Sequence, residues 1–230
     1  MRSVRLAAAG RPRGTPAEEE MAQPLGNGSS AGVGEERRAT QERKLSGALA
    51  SPAGDGLRAI LARDTLRSID ETGATALTTR RVVVQLVTSP ELRLVVAFRL
   101  YTWLYRRFGG SLPYYLYTYV RARMGCDIGL GADIGPGFRI GHRSDVVIGS
   151  MAVIGADVHV YNGVSIGTRR PPLNEMPTIG DRVLICSGAK VLGDIKIGDD
   201  VVIAANAVVL DDVPSGTTVA GVPARPIRAA

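Results

Sequence analysis

From Asp127 onward, branched aliphatic residues recur every six positions, a spacing that fits neither an α-helix nor an alternating strand. Ile128, Ile134, Ile140, Ile148, Ile154, Val160, Ile166, Ile179, Ile185, Val191, Ile197, Ile203 and Val209 share one phase, and glycine follows most of them. Four positions after most of these stands a second apolar or small residue: Ala132, Phe138, Ala152, Val158, Val164, Val183, Ala189, Ile195, Val201, Ala207 or Val213. Such hexads predict a parallel β-helix of triangular section, in which each hexad supplies one short strand and one corner. The aliphatic points into the stack, and the glycine is read as tolerating the corner's backbone angles. With strands about 4.8 Å apart, five turns predict a prism roughly 24 Å tall.

The period fails twice. Between Ile140 and Ile148 two extra residues fall in Gly141-His142-Arg143-Ser144-Asp145, so the wall bulges at a histidine. Between Ile166 and Ile179 the excess is larger, and a loop over 168–177 must leave the prism, where it can cover a groove. Sites concentrate where local regularity is broken.

Upstream, the pattern turns helical. Leu57, Ile60, Leu61 and Leu66 lie on one face of a helix from Leu57 to about Ile69, and a second helix is predicted over Arg80 to Val87. Ser89-Pro90-Glu91 reads as an N-cap with proline in the first turn, opening a helix that runs to Phe108 and stops at Gly109-Gly110. A fourth starts at Ser111-Leu112-Pro113 and ends near Met124-Gly125. Residues 1–56 have no aromatic residue and no sustained period, and are predicted to be a disordered tail. The organisation is thus a tail (1–56), a short helical region (57–125) and a mainly β domain (126–230).

Charge adds to this picture only by its location. Residues 57–125 carry 11 basic and 4 acidic side chains, whereas 126–230 carry 9 and 11. The net +6 is therefore local to the helices, and no nucleic-acid partner is expected. Arg93, Arg99, Arg106 and Arg107 alternate with Tyr101, Trp103 and Tyr105, a pattern suited to a solvated helix face, or to an anionic membrane surface or a partner. The longest apolar stretch, Leu92 to Tyr105, contains two arginines and predicts no transmembrane segment. The run Leu6 to Ala9 is too short for a secretory leader, so a cytoplasmic location is expected. Two cysteines and two histidines predict neither a disulfide framework nor a metal site.

Asp127-Ile128-Gly129, His142, Val164-Ser165-Ile166-Gly167, Pro177-Thr178-Ile179-Gly180-Asp181 and Ala220-Gly221-Val222-Pro223-Ala224-Arg225, preceded by Ala97 to Leu104, together resemble serine O-acetyltransferases of the hexapeptide-repeat superfamily. The resemblance covers about residues 90–229. It implies a left-handed parallel β-helix, a homotrimer, and acetyl-CoA bound as co-substrate between neighbouring prisms. It also implies transfer of acetyl to the hydroxyl of L-serine by direct attack, with His142 and Asp127 as the histidine–aspartate pair. The chemistry is coherent: a hydroxyl needs a base near neutral pH, and a carboxylate on the other ring nitrogen fixes the imidazole tautomer. Asp127 lies fifteen residues before His142, close to one eighteen-residue turn. By the same resemblance Thr168, Ser187 and Ala205 line the coenzyme groove, and Arg225 meets the phosphates.

Two positions depart from the family pattern. Gly141 stands where an aspartate precedes the histidine, and Met176 where a second histidine ends the loop. A sugar or polysaccharide precursor, or another small hydroxyl compound, therefore stays open as the acceptor. His159 falls on an outward position and is assigned a structural or interface role, and Cys186 a structural one. Arg169-Arg170 reads as a solvated loop face that could meet an anionic acceptor or the coenzyme's phosphates. Two histidines cannot supply the three metal ligands of hexapeptide carbonic anhydrases. The remaining class is a non-catalytic trimeric scaffold, disfavoured because the base and the coenzyme segment are present.

Overall fold

The computed structural model describes residues 56–70, 78–109, 111–170 and 175–228. Residues 1–55 of the predicted tail (1–56) and the tip of the predicted loop, 171–174, lie outside these residues. Among the described residues four helices come first: α1 (Leu57–Ile69), α2 (Thr79–Thr88), α3 (Pro90–Phe108) and α4 (Ser111–Met124). Their starts and stops follow local chemistry. The Ser89 hydroxyl accepts from the Leu92 N–H at 3.1 Å at the start of α3, and Gly109 ends that helix with φ 63°.

Fifteen short strands follow: β1 (Cys126–Ile128), β2 (Asp133–Ile134), β3 (Arg139–Ile140), β4 (Val146–Ile148), β5 (Val153–Ile154), β6 (His159–Val160), β7 (Ser165–Gly167), β8 (Thr178–Ile179), β9 (Leu184–Ile185), β10 (Lys190–Leu192), β11 (Lys196–Ile197), β12 (Val202–Ile203), β13 (Val208–Val209), β14 (Thr218–Gly221) and β15 (Ala224–Arg228). Every third strand pairs in parallel, which builds the three faces of a prism. Face A is β1-β4-β7-β10-β13, face B is β2-β5-β8-β11, and face C is β3-β6-β9-β12-β14, with β15 added antiparallel at its end. Strands β1 to β12 make four full turns, and β13, a bridge at Val213 and β14 make a shortened fifth.

The register stacks like on like. Ile134, Ile154, Ile179 and Ile197 form one buried column, and Ile140, Val160, Ile185, Ile203 and Val219 another. Each fully buried aliphatic contributes about 1.5–3 kcal/mol of burial. The glycines after these aliphatics do not serve the predicted purpose. Left-handed backbone lies elsewhere, at Gly137, Asp157, Arg182, Asp200 and Gly216 along one corner and at Gly125, Asp145, Gly163, Gly188 and Asn206 along another. Gly135 and Gly155 are instead required by close stacking: a Cβ on Gly135 would lie 2.6 Å from the Gly155 carbonyl carbon in the next turn.

The helices close the first turn, whose backbone has no preceding turn to bond. Leu94, Val95, Phe98 and Tyr117 join the prism core. At the centre, Arg99 of α3 and Asp64 of α1 form a buried pair with Nε to Oδ2 at 2.9 Å. Arg99 also donates to the carbonyls of Ile134 and Gly135, while Asp64 accepts from the amides of Gly137 and Phe138 at 2.7 and 3.0 Å. Burial pushes the Asp64 carboxyl up, against the opposing pull of Arg99 and the two amides. Arg63 and Arg67 reach Asp157 in the second turn, and Arg106 reaches Asp133 in the first.

Candidate active site

The bulge falls where the broken period places it, between Ile140 at the end of β3 and Val146 at the start of β4. It folds back on the entry to β1: the Cys126 thiol donates to the Arg143 carbonyl, Arg143 donates to the Met124 carbonyl at 3.1 Å, and the Asp145 amide donates to the Gly125 carbonyl at 2.9 Å. These ties hold His142 exposed on the corner between faces C and A.

That corner is a continuous edge. Gly141, Tyr161, Cys186 and Ala204 succeed one another through backbone hydrogen bonds from turn to turn, and His142, Asn162, Ser187 and Ala205 each follow them by one residue. The Ser187 hydroxyl donates to Asn162 Oδ1 at 2.9 Å, and Lys190 donates to the Gly163 carbonyl and to Ser165 Oγ, the latter at 3.1 Å. The fold thus brings three predicted site residues, His142, Ser187 and Ala205, onto one edge.

The other three stand apart. Asp127 lies outward on face A at the first turn, its carboxylate held by Arg121 of α4; it makes no hydrogen bond to His142 within the chain. Thr168 follows β7 at the opposite margin of face A, where its hydroxyl donates to the Arg170 carbonyl at 3.3 Å. Arg225 sits on β15, paired with Asp211 at 3.0 Å. Met176 packs on the backbone of Gly149, where a Cβ would lie 2.6 Å from its sulfur, on the same side as Thr168.

The residue that sequence reasoning missed is Tyr161. It fills a position that other hexads give to glycine, which was the available signal. Its ring centroid lies 4.5 Å from that of His159 and 6.2 Å from that of His142. The same ring explains Gly141, whose φ is not left-handed: a Cβ there would lie 3.0 Å from Tyr161 and 3.1 Å from His159 Nε2. His159 therefore lies against the ring of Tyr161. Burial pushes the thiols of Cys126 and Cys186 up, away from the thiolate a nucleophile needs. Among the described residues no group of three His, Cys, Asp or Glu side chains is arranged to hold a metal.

Comparison with known proteins gives this edge a context. Residues 176–211 match the family model described as bacterial transferase hexapeptide (six repeats). A serine acetyltransferase of Mycobacterium tuberculosis is 40% identical over 139 residues, which are 60% of this chain and 61% of that protein, so the chain spans about three fifths of that relative. The structure of a serine acetyltransferase in complex with CoA aligns with TM-score 0.62 at 29% identity, over 73% of this chain and 68% of that one. The apoenzyme structure of soybean serine acetyltransferase aligns with TM-score 0.68 at 31% identity, over 77% of this chain and 72% of its own. Likeness of that extent, on a prism of the same architecture, makes this chain a member of the serine acetyltransferase family.

Proposed function

We propose that the protein is an acetyl-CoA-dependent O-acetyltransferase acting on the hydroxyl of L-serine, with His142 as its general base. The observation that carries this reading is the exposed histidine, fixed in a bulge at the foot of the edge that also holds Ser187 and Ala205. Family membership supports acetyl transfer from a thioester as the chemistry. In the proposed course the acceptor oxygen attacks the thioester carbonyl carbon as its proton passes to His142. The carbon–sulfur bond then breaks, and the departing sulfur takes the proton from the imidazolium. The products are the acetyl ester and free CoA.

Asp127 is the proposed partner of the imidazole. Its side chain is 56% exposed and bonded to Arg121, and an exposed pair of that kind is worth about 0–1 kcal/mol. Exchange of Arg121 for His142 is therefore cheap. The coenzyme groove is proposed to be shared by two chains of a homotrimer. Thr168 at one margin of face A and Ser187 with Ala205 at the other face different directions from one prism, so a single groove containing all three needs a neighbour. Arg225 reaches the coenzyme phosphates on releasing Asp211. This reading places the protein in the cytoplasm, in cysteine biosynthesis.

The test is thiol release from acetyl-CoA with L-serine beside a panel of hydroxy amino acids and sugars. Replacing His142 with alanine is expected to lower turnover roughly 10²–10⁴-fold while leaving the melting temperature and the subunit assembly unchanged. An active His142→Ala variant would remove the histidine from the mechanism. Turnover with another hydroxyl compound and none with serine would overturn the acceptor and keep the chemistry.

A further inference from the structure

The helical region presents a surface that the acetyl-transfer reading leaves unused. In α4 only Tyr117 is buried, packed against Phe98 and Tyr101 of α3 at ring distances of 6.4 and 5.8 Å. The remaining large residues point outward at helical spacing. Leu112, Tyr115, Leu116 and Tyr119 lie at i, i+3, i+4 and i+7, and are 67%, 67%, 47% and 60% exposed. Beside the start of this stripe, the end of α3 exposes Trp103 and Phe108, in edge-to-face contact at 6.0 Å.

The charge of these two helices has one sign. Together α3 and α4 hold six arginines and a single acidic residue, Glu91. Arg99, Arg106 and Arg121 are engaged by aspartates of α1 and the first turn, and Arg93 by carbonyls at the end of α2. Among the described residues Arg107 and Arg123 meet no carboxylate, and each lies over an exposed aromatic ring of these helices: Arg107 over Phe108 at 5.3 Å, Arg123 over Tyr119 at 4.5 Å.

We propose that this face docks on an anionic lipid bilayer, with α4 lying in the headgroup layer. Tyrosine, tryptophan and phenylalanine beside arginine are the side chains that settle at a membrane interface, apolar body inward and polar end in the headgroups. The charge selects this occupant over a second copy of the same stripe, because two such faces would bring arginine against arginine. The bilayer supplies the missing negative charge. No helix of the described residues is long and apolar enough to cross a membrane, so the attachment is at the surface.

The experiment is co-sedimentation of the full chain with vesicles of phosphatidylcholine alone and of phosphatidylcholine with phosphatidylserine. Binding is expected on the second only, and weaker as salt rises from 0.1 to 1 M, where the screening length falls from about 10 to 3 Å. Arg107→Gln with Arg123→Gln should weaken it roughly 20- to 30-fold, given about 1 kcal/mol for each arginine at the surface. Tyr115→Ser with Tyr119→Ser should abolish it while leaving the mass of the assembly in solution and acetyl transfer unchanged. Absence of binding to the anionic vesicles overturns the proposal. Dissociation of the subunits by the tyrosine pair also overturns it, because the stripe would then be an interface between copies of this chain.

Discussion

The prism and the helical layer that closes it are built on opposite principles. In the prism one contact is repeated: an isoleucine or valine above another in the next turn, with backbone bonds running between parallel strands. In the helical layer the decisive contact occurs once. Arg99 and Asp64, thirty-five residues apart, meet in the core and between them bond two carbonyls and two amides of the first turn. A repeated contact spreads its energy over many equivalent positions, whereas a single buried ion pair concentrates it. Damage should therefore be graded in the prism and abrupt in the cap.

The sharpest way to break this contrast is at the pair itself. Arg99→Met leaves Asp64, 1% exposed, charged without its partner, and is expected to cost about 3–5 kcal/mol in denaturant unfolding. A loss below 1 kcal/mol would mean that apolar packing alone holds the helices. Within the prism, Ile166→Val and Ile185→Val should each cost about 0.5–1.5 kcal/mol, and the two values should agree closely because both residues are fully buried in the same stacked surroundings. Unequal costs would show that the turns are not equivalent. The smallest effect belongs to the surface. Arg182 bonds Asp200 through two contacts of 2.7 Å and holds its carboxyl below the ordinary range. A lowered folded-state pKa means that the pair stabilises the prism above roughly pH 4 and ceases to do so as the carboxylate takes up a proton below it. Asp200→Asn, which keeps a residue tolerant of the left-handed backbone there, should flatten the acid limb of stability slightly and leave the neutral range alone.

What could be read in the residues follows the same division. The six-residue period located nearly every strand, and its first failure located the bulge, because each depends on neighbours set by a constant spacing. Helix starts were legible from Ser89 and Pro90, whose effect is local. The reason for the glycines was not, since the clash between Gly135 and Gly155 exists only once turns are stacked. Arg121's hold on Asp127 was equally hidden, because it depends on how α4 enters β1 through Gly125. Thr168 could be aligned to a groove by resemblance, yet the corner it occupies, across face A from Ser187, becomes clear only in three dimensions.

The strand β15 has a consequence beyond ordering the end of the chain. A stack of parallel rungs is an open template at both ends, and an exposed rung invites another molecule to continue it. Here the helices block the first rung and β15, running against β14, occupies the edge of face C at the last. Reversal of direction matters, since an antiparallel strand cannot be extended by the parallel rung of a second prism in the same register. On face C, β15 therefore covers the edge of the last parallel rung, the kind of edge that, left open, can template growth into fibres.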